Sequence, residues 1–224
     1  MSVLVVAAHP DDEVLGCGGT LLQYVDISIP VHVLVMADGV SSRLSGKVET
    51  LEYFAMVRKR RLSFESVCKS AGFVPRWVGR REDNCMDTLP LLRIVKWVED
   101  YVDEVKPTTI FTHYEHDLNI DHRIAYQAVV TACRPFKYPH VKGIYSFEVP
   151  SSTELASVPF KPDTFVDITR TRDRKVELFH IYGEESQARN ASTIYDFAAY
   201  RGNQGGCDYA EAFKTVRRCG IIVP

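Results

Sequence analysis

The sequence predicts an α/β fold in which helices flank a mainly parallel central sheet. Three observations predict it. Short, β-branched-rich apolar runs alternate with longer stretches of helical periodicity, the pattern of strand–helix–strand units. The apolar runs are continuous rather than alternating, as strands covered on both faces are. Two of them run straight into polar clusters, and in such sheets ligands bind beyond the carboxyl ends of the strands.

Residues 3–8 form the first strand, ended by His9-Pro10-Asp11-Asp12. Residues 13–24 follow as a helix, with Leu15, Leu21 and Leu22 placed to pack. A second buried strand spans 31–36 and runs into a polar loop, 38–47. A long helix over 49–71 stops at Gly72, which tolerates the left-handed conformation of a helix end. Residues 74–78 are a third strand. Leu91, Leu92, Val95, Val98 and Val102 repeat with helical spacing over 90–105, and Pro107 breaks that helix. A fourth strand spans 108–112, and a helix over 124–133 precedes Pro135. Later strands are expected at 144–149 and 165–168, and helices at 172–182, 194–201 and 209–217. Residues 200–206, rich in Gly, Asn and Gln, read as a flexible polar loop.

A chain of 224 residues suits one domain, 1–224, with the part from about residue 150 an elaboration of it. A formal charge of −2 builds no positive field, so no nucleic-acid partner is expected. The six cysteines are scattered without a C-x-x-C pair, which suits reduced, partly buried thiols in a cytoplasmic protein better than a disulfide scaffold. The N-terminus lacks a basic leader, and no apolar run approaches the roughly 18 residues a membrane span needs. No membrane insertion is expected.

The first polar cluster places three carboxylates directly after a histidine. Unpaired, they repel one another, and a divalent cation relieves that repulsion. Imidazole and carboxylate donors suit zinc, whose catalytic sites keep three protein ligands and one open position. His9 and Asp12 lie three apart across a turn stiffened by Pro10, so one ion can reach both, leaving Asp11 to face a reacting water. The same acids also suit a helix N-terminus, as caps and dipole partners.

The second cluster, 113–122, holds His113, Glu115, His116, Asp117, Asn119, Asp121 and His122. His122, at the start of the next helix, is the natural third ligand, with Asp121 beside it to orient its ring. A solvated loop is the competing reading. A parallel sheet that brings both strand ends to one edge brings the clusters together.

Gly16-Cys17-Gly18-Gly19 fits neither a phosphate loop nor a dinucleotide fingerprint, because no Lys follows and position 21 is Leu. Close helix–sheet packing is the expected reason for it. Arg58, Lys59, Arg60 and Arg61 read as a solvated helix face from which one arginine, taken as Arg60, reaches substrate.

Residues 8–13 (AHPDDE) and 117–123 (DLNIDHR) together resemble the PIG-L/LmbE-like deacetylases. That family includes N-acetylglucosaminylphosphatidylinositol de-N-acetylase and the de-N-acetylases of mycothiol and bacillithiol synthesis. Asp87 and the strand from Lys106-Pro107 to Thr112-His113 also look like it, and the C-terminal third looks like a bacterial sub-branch. The resemblance implies a Rossmann-like α/β sandwich, zinc ligands His9, Asp12 and His122, and Asp11 as general base. It implies an N-acetylglucosaminyl or other amino-sugar substrate, and often a homo-oligomer, hexamers included. Iron(II) suits the same ligands. One position departs: many members carry a histidine, acting as acid or oxyanion donor, where this chain has Asn119. His116, His113 and Asn119 are the residues left for that role. Asp117, Asp121, Asp87 and Arg60 are expected around the ligands or the substrate.

Two other classes stay open: a metal-binding but catalytically degenerate relative acting as a binding or assembly subunit, and a hydrolase of another substituent on the same fold.

Overall fold

The structure, a computed structural model, describes residues 1–44, 50–78, 82–150, 152–183 and 191–219. β1 (Val3–Ala7) is five apolar residues, each fully buried. It is followed by α1 (Asp12–Asp26), β2 (Val31–Val35), α2 (Leu51–Ala71), β3 (Val74–Trp77), α3 (Leu91–Val105), β4 (Thr109–His113), α4 (Ile120–Ala132) and β5 (Gly143–Phe147). The C-terminal part adds β6 (Thr164–Asp167), α5 (Arg172–Ile181), α6 (Ala191–Gly205) and β7 (Ala210–Arg218). All of β1 to β7 join one sheet in the order β3-β2-β1-β4-β5-β7-β6. β1 to β5 pair in parallel, and β7 runs antiparallel between β5 and β6. This is the expected mainly parallel α/β architecture.

The two sheet faces follow the period of two along each strand. Val3, Val5, Val33, Phe111 and Phe147 pack with α1, α2 and α5. Leu4, Val6, Leu34, Ile110 and Ile144 pack with α3 and α4 on the other side. α2 starts at Thr50, whose side chain accepts from Tyr53 N at 3.1 Å, and stops at Gly72 with φ 77°, as expected. The expected start of that helix at Glu49, and residues 45–47 of the expected polar loop, lie outside the described residues.

Three expectations need correction. The expected helix over 209–217 is strand β7: Ala, Glu and Lys favour a helix locally, but pairing along both edges, with β5 and with β6, outweighs that preference. The expected flexible loop at 200–206 is helical to Gly205, where Arg201 Nη1 donates to Gln204 Oε1 (2.6 Å) and Gln204 Nε2 to the Tyr200 hydroxyl (3.2 Å). Two of its glycines serve close approach, since a Cβ on Gly202 would stand 2.5 Å from Asp208 O and one on Gly205 2.9 Å from Phe165, while Gly206 has φ 80° just past the helix end. The helix expected from 124 begins at Ile120, because the Asn119 side chain caps it.

The glycines of α1 pack as expected. A Cβ on Gly16 would lie 2.2 Å from the Phe147 ring, and one on Gly19 would lie 2.8 Å from Ile168. The middle of α1 is also tied to β7. Glu211 accepts from Gly19 N, Thr20 N and Thr20 Oγ1, and its carboxylate meets Lys175 Nζ at 2.7 Å. The six cysteines are free thiols, with Cys17, Cys68 and Cys133 buried. Among the described residues no helix is long and apolar enough to cross a membrane.

Candidate metal centre

β1 and β4 are parallel neighbours at the point where the strand order reverses, the usual ligand crevice of such sheets. Their carboxyl ends therefore set residues 9–13 beside residues 113–122. His9, Asp12 and His122 are buried, and their ligand atoms lie within 4.8 Å of one another. Asp12 Oδ2 is 3.4 Å from His9 Nδ1 and 3.4 Å from His122 Nε2. The same oxygen accepts from His9 N at 2.8 Å.

Each imidazole turns its other nitrogen to a further carboxylate. Asp117 Oδ1 lies 3.1 Å from His122 Nδ1. Asp121 Oδ2 lies 3.1 Å from His9 Nε2, so Asp121 braces the first histidine and not its neighbour His122. Asp121 is itself held by Asn84 N (2.8 Å) and Met86 N (2.9 Å). Asp117 accepts from Thr153 Oγ1 (2.5 Å) and Ser152 Oγ (3.1 Å), side chains of the turn after β5.

Asp83, which the sequence reading passed over, stands 2.9 Å from His9 Nε2. Asp87, the acid expected from that segment, is exposed on the neighbouring turn. His9, Asp83 and Asp121 also meet the spacing of a metal group, but they use the far nitrogen of His9 and so brace the first group.

The donor set fits a divalent cation. Asp11, Asp12, Asp83, Asp117 and Asp121 are all buried here, between 0% and 7% exposed. Against this negative charge the site sets Arg60, His9 and His122. Burial opposes charge on the histidines, but Asp12, Asp121 and Asp83 outweigh it and raise His9 well above the usual imidazole value. Asp12 and Asp117 likewise outweigh burial and raise His122 to about 9. Burial works against the Asp12 carboxylate too, yet His122, His113 and His9 hold it well below the usual range. Protons on two imidazoles thus supply positive charge where a bound cation would.

Asp11 takes an unusual backbone conformation, φ 100°, at the head of α1. For a residue with a side chain this costs about 1–3 kcal/mol. Its carboxylate makes no capping bond to the helix; Oδ2 lies 3.0 Å from Arg60 Nη2, which also donates to Pro10 O. Within the basic run, Arg58, Lys59 and Arg61 are exposed and Arg60 alone is buried.

The three residues expected to act as proton or oxyanion donor stand differently. His113 is fully buried, its Nε2 accepts from Ala8 N at 2.9 Å, and its ring stacks on His122 with centroids 3.9 Å apart. Burial and the neighbouring His122 cation push it down to about 3, which leaves it neutral. Asn119 spends its side-chain oxygen on Asp121 N (2.8 Å) and His122 N (3.4 Å). His116 is exposed, edge-on to Tyr114 at 5.5 Å.

Sequence reasoning also missed Tyr182 and Thr153, which enter from more than thirty positions beyond the second cluster, where no local motif marks them.

Comparison with known proteins shows the family and the fold. Residues 4–133 match the family model of GlcNAc-PI de-N-acetylase. A probable N-acetyl-alpha-D-glucosaminyl L-malate deacetylase 2 of Bacillus cereus is 26% identical over 189 residues, 83% of this chain and 84% of that protein. The N,N'-diacetylchitobiose deacetylase of Pyrococcus horikoshii superposes with a TM-score of 0.74 at 21% identity, over 96% of this chain and 84% of that one. GalB, the 4-carboxy-2-hydroxymuconate hydratase of Pseudomonas putida, covers 100% of both chains at 25% identity and TM-score 0.71, so the fold carries more than one reaction. With 130 residues of matched family sequence (4 to 133) enclosing His9, Asp12 and His122, this chain belongs to the GlcNAc-PI de-N-acetylase (PIG-L) family of deacetylases.

Proposed function

We propose that the chain is a zinc-dependent hydrolase that removes the N-acetyl group of an amino sugar or its conjugate, releasing acetate and a free amine. The observation that carries this reading is the buried group His9, Asp12 and His122, with Asp11 beside it at the head of α1, its carboxylate making no side-chain cap bond. The relatives' printed substrates, an N-acetylglucosaminyl malate and a diacetylated chitobiose, support the substrate class.

His9, Asp12 and His122 hold the ion, with Asp121 and Asp117 fixing the two rings. Zinc bound there acts as a Lewis acid and lowers the pKa of water toward neutrality; iron(II) suits the same donors. Asp11, kept in place by Arg60, takes the proton of the attacking water and passes it to the departing nitrogen. His116, the one of the three candidate donors with an exposed ring, is assigned the oxyanion. His113 keeps its ring against His122 and serves as support, because its Nε2 is already engaged by Ala8 N. The reading takes residues 1–224 as one domain of a cytoplasmic homo-oligomer, a hexamer being among the assemblies the family resemblance allows.

The test is amine and acetate release from a panel of N-acetylated sugars, nucleotide sugars and glycosides, with zinc-loaded and iron-loaded protein compared. Turnover that a chelator abolishes and zinc restores is expected. Stoichiometric metal binding with no release from any panel member overturns the reading in favour of a degenerate, metal-binding relative.

A further inference from the structure

We propose that Glu13 and Tyr182 are positioning residues for Asp11, locking the backbone turn from which its carboxylate works. The reaction assigned to Asp11 rests on the reading above; the lock itself rests on geometry alone.

A helix usually begins with a side chain folded back onto its own first turn. Here the division of labour is reversed. Asp11 caps α1 with its carbonyl, accepting from Val14 N (3.0 Å) and Leu15 N (2.9 Å), and its carboxylate makes no cap bond. Glu13 instead reaches back from inside the helix, its Oε2 accepting from Asp11 N at 3.0 Å. A capping box satisfies the cap residue's amide in a similar way with an acid at the third helical position; here the acid stands at the second. The exchange leaves the Asp11 carboxylate to Arg60 and to chemistry, in a conformation that a side chain rarely adopts unaided.

Glu13 is fully buried, and the hydroxyl of Tyr182 donates to its Oε1. Tyr182 stands just beyond α5, 4% exposed. Its ring lies 5.0 Å under the guanidinium of Arg60, whose Nη2 is 3.0 Å from Asp11 Oδ2. The four side chains close a ring: Glu13 holds the Asp11 amide, Arg60 holds its carboxylate, and Tyr182 supports both. Tyr182 lies outside residues 4–133, so the C-terminal part of the chain reaches into the centre at this point.

The test uses zinc-loaded, full-length protein and two readouts. Tyr182→Phe keeps the ring under Arg60 and removes only the hydroxyl. It is expected to lower kcat about 10- to 100-fold, the scale of a misplacement near 1 Å, with KM and zinc content unchanged. Glu13→Gln keeps an oxygen for the Asp11 amide and is expected to recover kcat at least about tenfold over Glu13→Ala. If Glu13→Ala does not fold, the comparison is made against Tyr182→Phe. The second readout needs no substrate. In wild-type protein the Asp11 amide proton is expected downfield and slow to exchange, and in Tyr182→Phe upfield and at least about ten times faster to exchange. An unmoved Asp11 amide, or wild-type kcat in Tyr182→Phe, overturns the proposal. If the wild type turns over no panel member, the assigned reaction fails, and the amide readout still decides the lock.

Discussion

The carboxylate of Asp121 lies 3.1 Å from Nε2 of His9, a residue from the other cluster, and not against the adjoining His122. The first turn of α4 therefore orients His9, the candidate ligand that follows β1. His122, by contrast, is braced from within its own segment by Asp117. Second carboxylates of this kind fix the tautomer and raise the basicity of a ligand. Asp121→Asn is expected to weaken zinc binding about 10- to 100-fold, measured by competition with a chelating dye. Affinity equal to wild type would remove Asp121 from this role.

In the proposed mechanism Asp11 serves as the general base and is not a metal ligand. Asp11→Asn is expected to keep zinc at the wild-type stoichiometry and to lose about 10²- to 10⁴-fold in kcat, the range that general-base catalysis supplies. Full turnover on a substrate the wild type accepts would show that another group takes the proton.

The raised values of His9 and His122 make metal binding sensitive to pH. Burial opposes their charge, but the surrounding aspartates prevail and shift both rings toward the protonated form when no metal is bound. The folded value of His122, about 9, lies above its unfolded one. Its contribution to apo-protein stability is therefore complete below the unfolded value near 6.5 and fades as pH rises through about 9. A ligand nitrogen must be free of its proton to bind zinc, so binding at pH 7 releases protons and tightens with rising pH. Calorimetry at pH 7 in two buffers of different ionisation enthalpy should show proton release, with His122's share gone at pH 10. Buffer-independent heats at pH 7 would contradict it.

The bare face of α1 is required by packing. Gly16→Ala sets a methyl 2.2 Å from Phe147, whose ring also lies edge-on to His113 at 4.7 Å. Overpacking of this kind costs about 1–3 kcal/mol, and for a chain of this size that is a fall in Tm of about 2–4 °C per kcal/mol. Thermal unfolding checks it; an unchanged Tm would mean that the helix and sheet are less tightly apposed than described.

Much of this was legible in the sequence. The run VLVVA allows little but a strand buried on both faces, and the histidines and acids that follow it and β4 mark the sheet edge where chemistry gathers. Partners set by three-dimensional contact were not legible. Asp121 adjoins His122 in the chain, yet its carboxylate faces His9. Asp83 has no periodic or motif signal to separate it from Asp87; only the folded turn shows which acid is buried. β7 reads locally as a helix, and only the free edges of β5 and β6 make it a strand. Asn119 was expected as one of three possible donors, and no sequence signal showed that its side-chain oxygen caps α4 just before His122.

Metal analysis of the purified protein and of His122→Ala tests the centre most directly. One zinc or iron ion per wild-type chain, lost in His122→Ala while the fold persists by circular dichroism, is the expected result. An undiminished ion in His122→Ala would mean that the ends of β1 and β4 do not share a cation.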